Sequence, residues 1–87
     1  LNGLTKSIAL EVATRGITVN SISPGFIDTA MTAKLTDDQR SKITERIPMG
    51  RMGTGNDISS LVLFLLSNEA GYITGQNIHV NGGLFLA

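Results

Sequence analysis

The chain has 87 residues, with seven Lys+Arg against seven Asp+Glu, one His and no Cys. Zero net charge excludes the basic stripe of a nucleic-acid-binding surface, and the lack of Cys excludes a disulfide framework, a thiolate metal centre and a cysteine nucleophile. With 41% hydrophobic residues the chain is too apolar for disorder, yet a free domain of this length buries only about 60–65% of its unfolded surface, a marginal core.

Leu1 stands where an initiator Met would, so residues are expected to precede it, and no signal-peptide pattern opens the chain. Residues 1–14 read as a helix, with Leu1, Leu4, Ile8 and Val12 at helical spacing. A second line, Gly3, Ser7 and Leu10, is small or apolar. Two readings stand: burial on two sides within one fold, or packing against another subunit. Arg15 supplies a cation for the last turn and Gly16 a left-handed terminator. Residues 17–23 are rich in β-branched side chains and stop at Pro24-Gly25, which predicts a strand followed by a turn.

After a loop, Thr36 has the signature of an N-cap, with Asp37 and Asp38 in the first turn and Gln39 completing a capping box. The helix predicted over 37–47 has few apolar positions, chiefly Ile43 and Ile47, so most of it faces water. It is either a solvated surface helix or a mobile lid. Pro48 ends it, and Met49-Gly50-Arg51-Met52-Gly53 is a glycine-punctuated connection. Thr54 and Asp57 form another box-like start, ahead of the six-residue apolar run 61–66. That run is far short of the ~20 residues a membrane span needs. It is too apolar for a one-faced surface helix and is expected to be buried on nearly all sides. Residues 76–80 read as a short alternating strand ended by Asn81-Gly82-Gly83, and 84–87 as an apolar tail. The order is helix, strand, helix, helix, strand: an α/β pattern with too little sheet for an independent doubly wound domain.

Catalytic groups are scarce. His79 alternates with Ile78 and Val80 and reads as a structural histidine, with no nucleophile or carboxylate at a useful spacing. Ser21, Ser23 and Asp28 form no hydrolytic triad, and Tyr72 reads as a packing aromatic in a turn. No metal ligand set is present. The informative feature is the strand ending in Pro24-Gly25, followed by Phe26-Ile27-Asp28-Thr29. A parallel strand ending there places the next backbone at the carboxyl edge of the sheet, where open α/β sheets bind ligands. The amide and carbonyl of Ile27 and the hydroxyl of Thr29 could hydrogen-bond a flat polar group.

The ordered set Ile17-Thr18-Val19-Asn20, Ser23-Pro24-Gly25, Asp28-Thr29, Ile47-Pro48-Met49-Gly50-Arg51-Met52-Gly53, Tyr72-Ile73-Thr74-Gly75-Gln76 and Val80-Asn81-Gly82-Gly83 resembles the C-terminal portion of short-chain dehydrogenases/reductases. Within that superfamily it is most similar to bacterial 3-oxoacyl-[acyl-carrier-protein] reductases. The resemblance implies that residues 1–87 are the C-terminal segment of one NAD(P)-binding Rossmann-like domain. Pro24, Gly25, Ile27 and Thr29 then match the loop at the nicotinamide end of the cofactor, NADP(H) with NAD(H) still open. Residues 26–50 match the substrate loop, with Phe26 and Met31 as substrate contacts. Arg15 is either a contact for an acidic acyl carrier protein or a charge at a helix end. Ala30 stands where many relatives carry Asp. The resemblance further implies a cytoplasmic homotetramer, with the first helix at one interface and the 58–66 helix and last strand at another. The family's glycine-rich phosphate loop and its catalytic Ser, Tyr and Lys belong upstream of Leu1, so no catalytic residue is expected in this chain. The implied activity is reduction of a 3-oxoacyl thioester in fatty acid synthesis. Another short-chain alcohol or sugar dehydrogenase is one alternative, and a non-catalytic assembly module is another.

Overall fold

The computed structural model describes residues 2–86. Its elements are α1 (Asn2–Val12), β1 (Ser21–Pro24), α2 (Asp37–Glu45), α3 (Gly55–Leu65) and β2 (Asn77–Val80), with 3-10 turns at Ala13–Arg15, Thr32–Lys34 and Asn68–Ala70. The helix–strand–helix–helix–strand order and the α/β class read from the sequence are therefore present. The two strands form one sheet. Ser21 N–H donates to the Gln76 carbonyl and Gly25 N–H to the Val80 carbonyl, each at 2.9 Å, a constant offset that makes the pair parallel. Such a pair needs a long crossover, and here the crossover carries α2 and α3. No helix is long and apolar enough to cross a membrane among the described residues.

By contacts the chain divides into two compact units, residues 1–23 with 60–78 and residues 24–59 with 79–87. In the first unit, α1 runs on through its 3-10 turn until Gly16, at φ 71°, closes it by donating to the Ala13 carbonyl at 3.1 Å. The side chains α1 buries are Thr5 and Ala9. A Cβ added at Gly75 would stand 3.5 Å from the Ala9 Cβ, so small residues carry this contact. The large apolar stripe goes the other way. Leu4 is 61% exposed, Leu10 80% and Ile8 38%, so the expected two-sided burial is not provided by this chain. The part of that stripe assigned to Leu1 lies outside the described residues.

The first strand begins four residues later than predicted. Val19 N–H donates to Thr74 Oγ1 (3.0 Å), the Asn20 side-chain amide donates to the Ile73 carbonyl (3.1 Å), and Gln76 N–H donates to Asn20 Oδ1 (3.1 Å). Up to Asn20, side chains therefore carry most of the pairing, beside one backbone bond from Gly75 N–H to the Val19 carbonyl at 2.7 Å. Beyond them, the Ser21 and Ser23 hydroxyls both reach Asn77 Oδ1 at 2.9 Å. Tyr72, read as a packing aromatic, is fully exposed.

In the second unit, the capping box at Thr36 is complete: Gln39 N–H donates to the Thr36 hydroxyl and Thr36 N–H to Gln39 Oε1. The helix ends at Glu45, two residues before the predicted end. Ile47, just past that end, is the anchor and is 4% exposed. It packs at the C-terminal turn, where a Cβ on Gly82 (φ 63°) would meet Ile47 Cγ2 at 2.9 Å. Met49 N–H donates to the Gly82 carbonyl at 3.0 Å. Asn81 holds that turn, accepting from Gly83 N–H and donating to the Phe85 carbonyl. His79 rests against Phe85 with ring centroids 4.9 Å apart.

The expectation that fails most clearly concerns α3. It buries none of its residues, and Leu63 (68%), Phe64 (42%) and neighbouring Leu66 (78%) are exposed. The expected burial on nearly all sides is absent because none of the described residues covers that face. Of the apolar tail, Phe85 and Leu86 are exposed, and Ala87 lies outside the described residues.

Candidate functional site

The candidate site lies where β1 ends, within the second unit. Gly25 is required there by close approach, since a Cβ would fall 2.7 Å from the Asn81 Cβ and 3.0 Å from its Cα. Immediately after it, Ile27 forms an isolated parallel bridge with Gly53. The bonds come from the flanking residues: Gly53 N–H donates to the Phe26 carbonyl (2.9 Å) and Asp28 N–H to the Gly53 carbonyl (2.8 Å). In such a bridge the central residue turns its own N–H and C=O to the other side. Among the described residues, neither polar group of the Ile27 backbone has a backbone partner. The Ile27 side chain packs over Gly53, where a Cβ would come within 2.7 Å of Cδ1.

Residues 28–32 fold into a compact polar turn. Thr29 N–H donates to Thr32 Oγ1 at 2.7 Å, and the Thr29 hydroxyl accepts from Met31 N–H at 3.3 Å. Thr32 Oγ1 lies 2.5 Å from Asp28 Oδ1. Arg40, from α2, donates to Asp28 Oδ2 and to the Thr32 carbonyl, both at 2.8 Å. The Thr32 hydrogen bond first, with the bond and charge of Arg40, holds the Asp28 carboxyl below its ordinary range, against desolvation that pulls the other way.

A second polar cluster sits at the start of α3. Asp57 accepts from Thr54 N–H at 2.8 Å and from Arg51 at 3.0 Å. The bond from Arg51, then that from the Thr54 backbone, lowers the Asp57 pKa, and the bond to Asp57 raises that of Arg51. A cavity of 210 Å³ opens here, lined by Met49, Arg51, Gly53, Asp57 and residues 80–82.

Of the residues singled out from the sequence, Pro24, at the end of β1, and Gly25, Phe26, Ile27, Thr29 and Met31, on the segment after it, all fall in the second unit. Met31 is 82% exposed and Thr29 is exposed. Arg15 belongs to the first unit, exposed at the last residue of its 3-10 turn. Asp28, Thr32 and Arg40 were not singled out as a set. Their only sequence signal is a pair of opposite charges twelve positions apart across a loop, which no helical or strand period connects. No group of three or more His, Cys, Asp or Glu side chains is placed to hold a metal among the described residues.

Comparison with known proteins identifies the family. A family model described as enoyl-(acyl carrier protein) reductase matches residues 1–85. The chain is 56% identical over 86 residues to the 3-oxoacyl-[acyl-carrier-protein] reductase FabG of Salmonella typhimurium, covering 99% of this chain and 35% of that protein. It is 56% identical to the FabG of Rickettsia bellii, of which it covers 36%, and 55% identical to that of Escherichia coli, of which it covers 35%; in both cases 99% of this chain is matched. The family description and the relatives' names differ in the acyl group reduced and agree on a carrier-bound substrate. The chain spans about a third of the length of these curated relatives. On a match over nearly its whole length, the chain belongs to the short-chain dehydrogenase/reductase family, as a counterpart of the C-terminal portion of the 3-oxoacyl-[acyl-carrier-protein] reductases.

Proposed function

We propose that this segment is the C-terminal part of an NADPH-dependent reductase that converts 3-oxoacyl-[acyl-carrier-protein] to the 3-hydroxyacyl form in fatty acid synthesis. The observation that carries the reading is the Ile27 bridge: its hydrogen bonds run through residues 26 and 28 and leave the Ile27 amide and carbonyl for a ligand. A donor and an acceptor on one residue suit a carboxamide, the flat polar group at the nicotinamide end of the cofactor. Pro24 and Gly25 set the direction of this loop, and the exposed Thr29 hydroxyl supplies a further contact. The bound cofactor supplies hydride chemistry. The chain's own part is to orient it and, through residues 26–50 with Phe26 and Met31, to enclose the acyl substrate. The proton donor comes from residues beyond this chain.

On this reading residues 1–87 are a segment of one cytoplasmic NAD(P)-binding domain, and the exposed apolar surface of α3 is covered in a homotetramer. Arg15 offers its charge to the acidic acyl carrier protein. Thr29→Val in the complete reductase is expected to raise the Kd for NADPH, since a ligand-facing hydroxyl contributes roughly 0.5–1.5 kcal/mol. Fluorescence titration reads this directly, and an unchanged Kd removes Thr29 from the cofactor site. The 87-residue chain alone is expected to oxidise no NADPH with a 3-oxoacyl thioester.

A further inference from the structure

We propose that Arg40 is a positioning residue: by gripping Asp28 and Thr32 together, it fixes the loop that presents the Ile27 backbone and the Thr29 hydroxyl to the cofactor. The inference rests on the reading of that loop as the nicotinamide site, and it adds a residue on a different element.

The geometry is a fork on two acceptors. One guanidinium nitrogen donates to the Asp28 carboxylate and another to the Thr32 carbonyl, each at 2.8 Å. A planar guanidinium with charge-assisted bonds in two directions fixes the spacing of its acceptors, which a point charge does not. Those acceptors bracket Thr29. Thr32 Oγ1 closes the bracket from inside, accepting from Thr29 N–H while lying 2.5 Å from Asp28 Oδ1. On the other flank of Ile27, the Phe26 carbonyl accepts from Gly53 N–H at 2.9 Å, and Asp28 N–H itself donates to the Gly53 carbonyl at 2.8 Å. The residues on either side of the free Ile27 amide and carbonyl are thus pinned, one of them by α2.

Burial does not hold α2 in place. The helix itself buries no residue, and its anchor Ile47 lies beyond its end. Among the described residues, the hydrogen bonds from its body to the 26–35 loop are those of Arg40. An exposed ion pair in isolation contributes little to stability. The contact between Arg40 and the loop is therefore better suited to setting geometry than to holding the fold together.

The test is a titration of the complete reductase with NADPH, read by fluorescence, alongside kcat at saturating substrates. Arg40→Ala should raise the cofactor Kd about three- to tenfold. With both substrates saturating, kcat should stay within about twofold, because the loop is remade once occupied. Arg40→Lys should recover part of the affinity, keeping the charge and losing the fork. Asp28→Asn, which keeps the side-chain size and covers the case of an insoluble Arg40→Ala, should also weaken binding. The double variant should bind no worse than the weaker of the two singles, since both break one unit. An unchanged Kd in Arg40→Ala and Asp28→Asn, or losses that simply add, overturns the proposal. Wild-type protein that binds no NADPH overturns the reading of the loop itself, and that arm is separate from the variants.

Discussion

The helices α2 and α3 begin alike and continue in opposite ways. Each opens on a threonine with a polar partner three residues on: Thr36 with Gln39, and Thr54 with Asp57. After that first turn, α2 is charged along most of its length and is attached through polar bonds, whereas α3 runs into six consecutive apolar residues with none buried. A local cap therefore specifies where a helix starts and says nothing of what covers it. The covering is a property of the surroundings: α2 is tied to a loop carboxylate, whereas the apolar run of α3 is left largely exposed among the described residues.

The largest effect should come from charging the apolar helix. Leu63→Asp or Phe64→Asp in the complete protein should dissociate the proposed oligomer or precipitate the protein, because an exposed apolar face of this size otherwise has no reason to persist. Light scattering with wild-type mass and solubility for both variants would show that α3 needs no covering, and the contrast with α2 would collapse. A smaller effect is expected at α2. Thr36→Ala removes the acceptor for Gln39 N–H and should cost about 0.5–2 kcal/mol of local stability, read as faster proteolysis within residues 37–47. The equivalent loss at α3 should be weaker, since there Thr54 is bonded mainly through its backbone N–H to Asp57.

The smallest effect concerns acid. The Asp28 and Asp57 carboxyls both titrate below their ordinary range in the folded chain. A lowered folded pKa means that the contribution is present above the unfolded carboxylate pKa, about 3.9, and is lost as pH falls through the folded value. Thermal unfolding should thus show no pH dependence from these groups between about pH 5 and pH 8, where their contribution is fully present, and a decline only in more acid solution. Asp28→Asn and Asp57→Asn should each remove part of that decline.

Much of the frame was legible in the sequence because its signals are local. Gly16 as a left-handed terminator, the capping box at Thr36 and the acid reaching back at Asp57 each act within four residues, whereas the turn expected at Pro24-Gly25 is absent, because Gly25 N–H continues the ladder to the Val80 carbonyl. The late start of β1 was not legible, since it depends on Asn20 and Thr74, which meet across more than fifty positions. Nor was the direction of α1, whose evident apolar stripe faces out while Thr5 and Ala9 face in. Small residues give a weak periodic signal, yet close packing selects them. The Arg40 fork was not legible, because the bond joins a helix to a loop with no fixed period between them.

The anchoring of Ile47 against Gly82 has a mechanical consequence. From Arg40 to the end of α2 at Glu45 the chain covers about 7.5 Å of helix, with Ile47 anchored just beyond it, so that end of α2 is a fulcrum and the grip of Arg40 acts as a catch on the arm. The closed capping box keeps the arm stiff. Releasing the catch should therefore swing a rod rather than melt a helix. Amide exchange inside α2 would then stay slow while the arm moves, and the two motions would separate in time, loop displacement in nanoseconds to microseconds and unwinding far later.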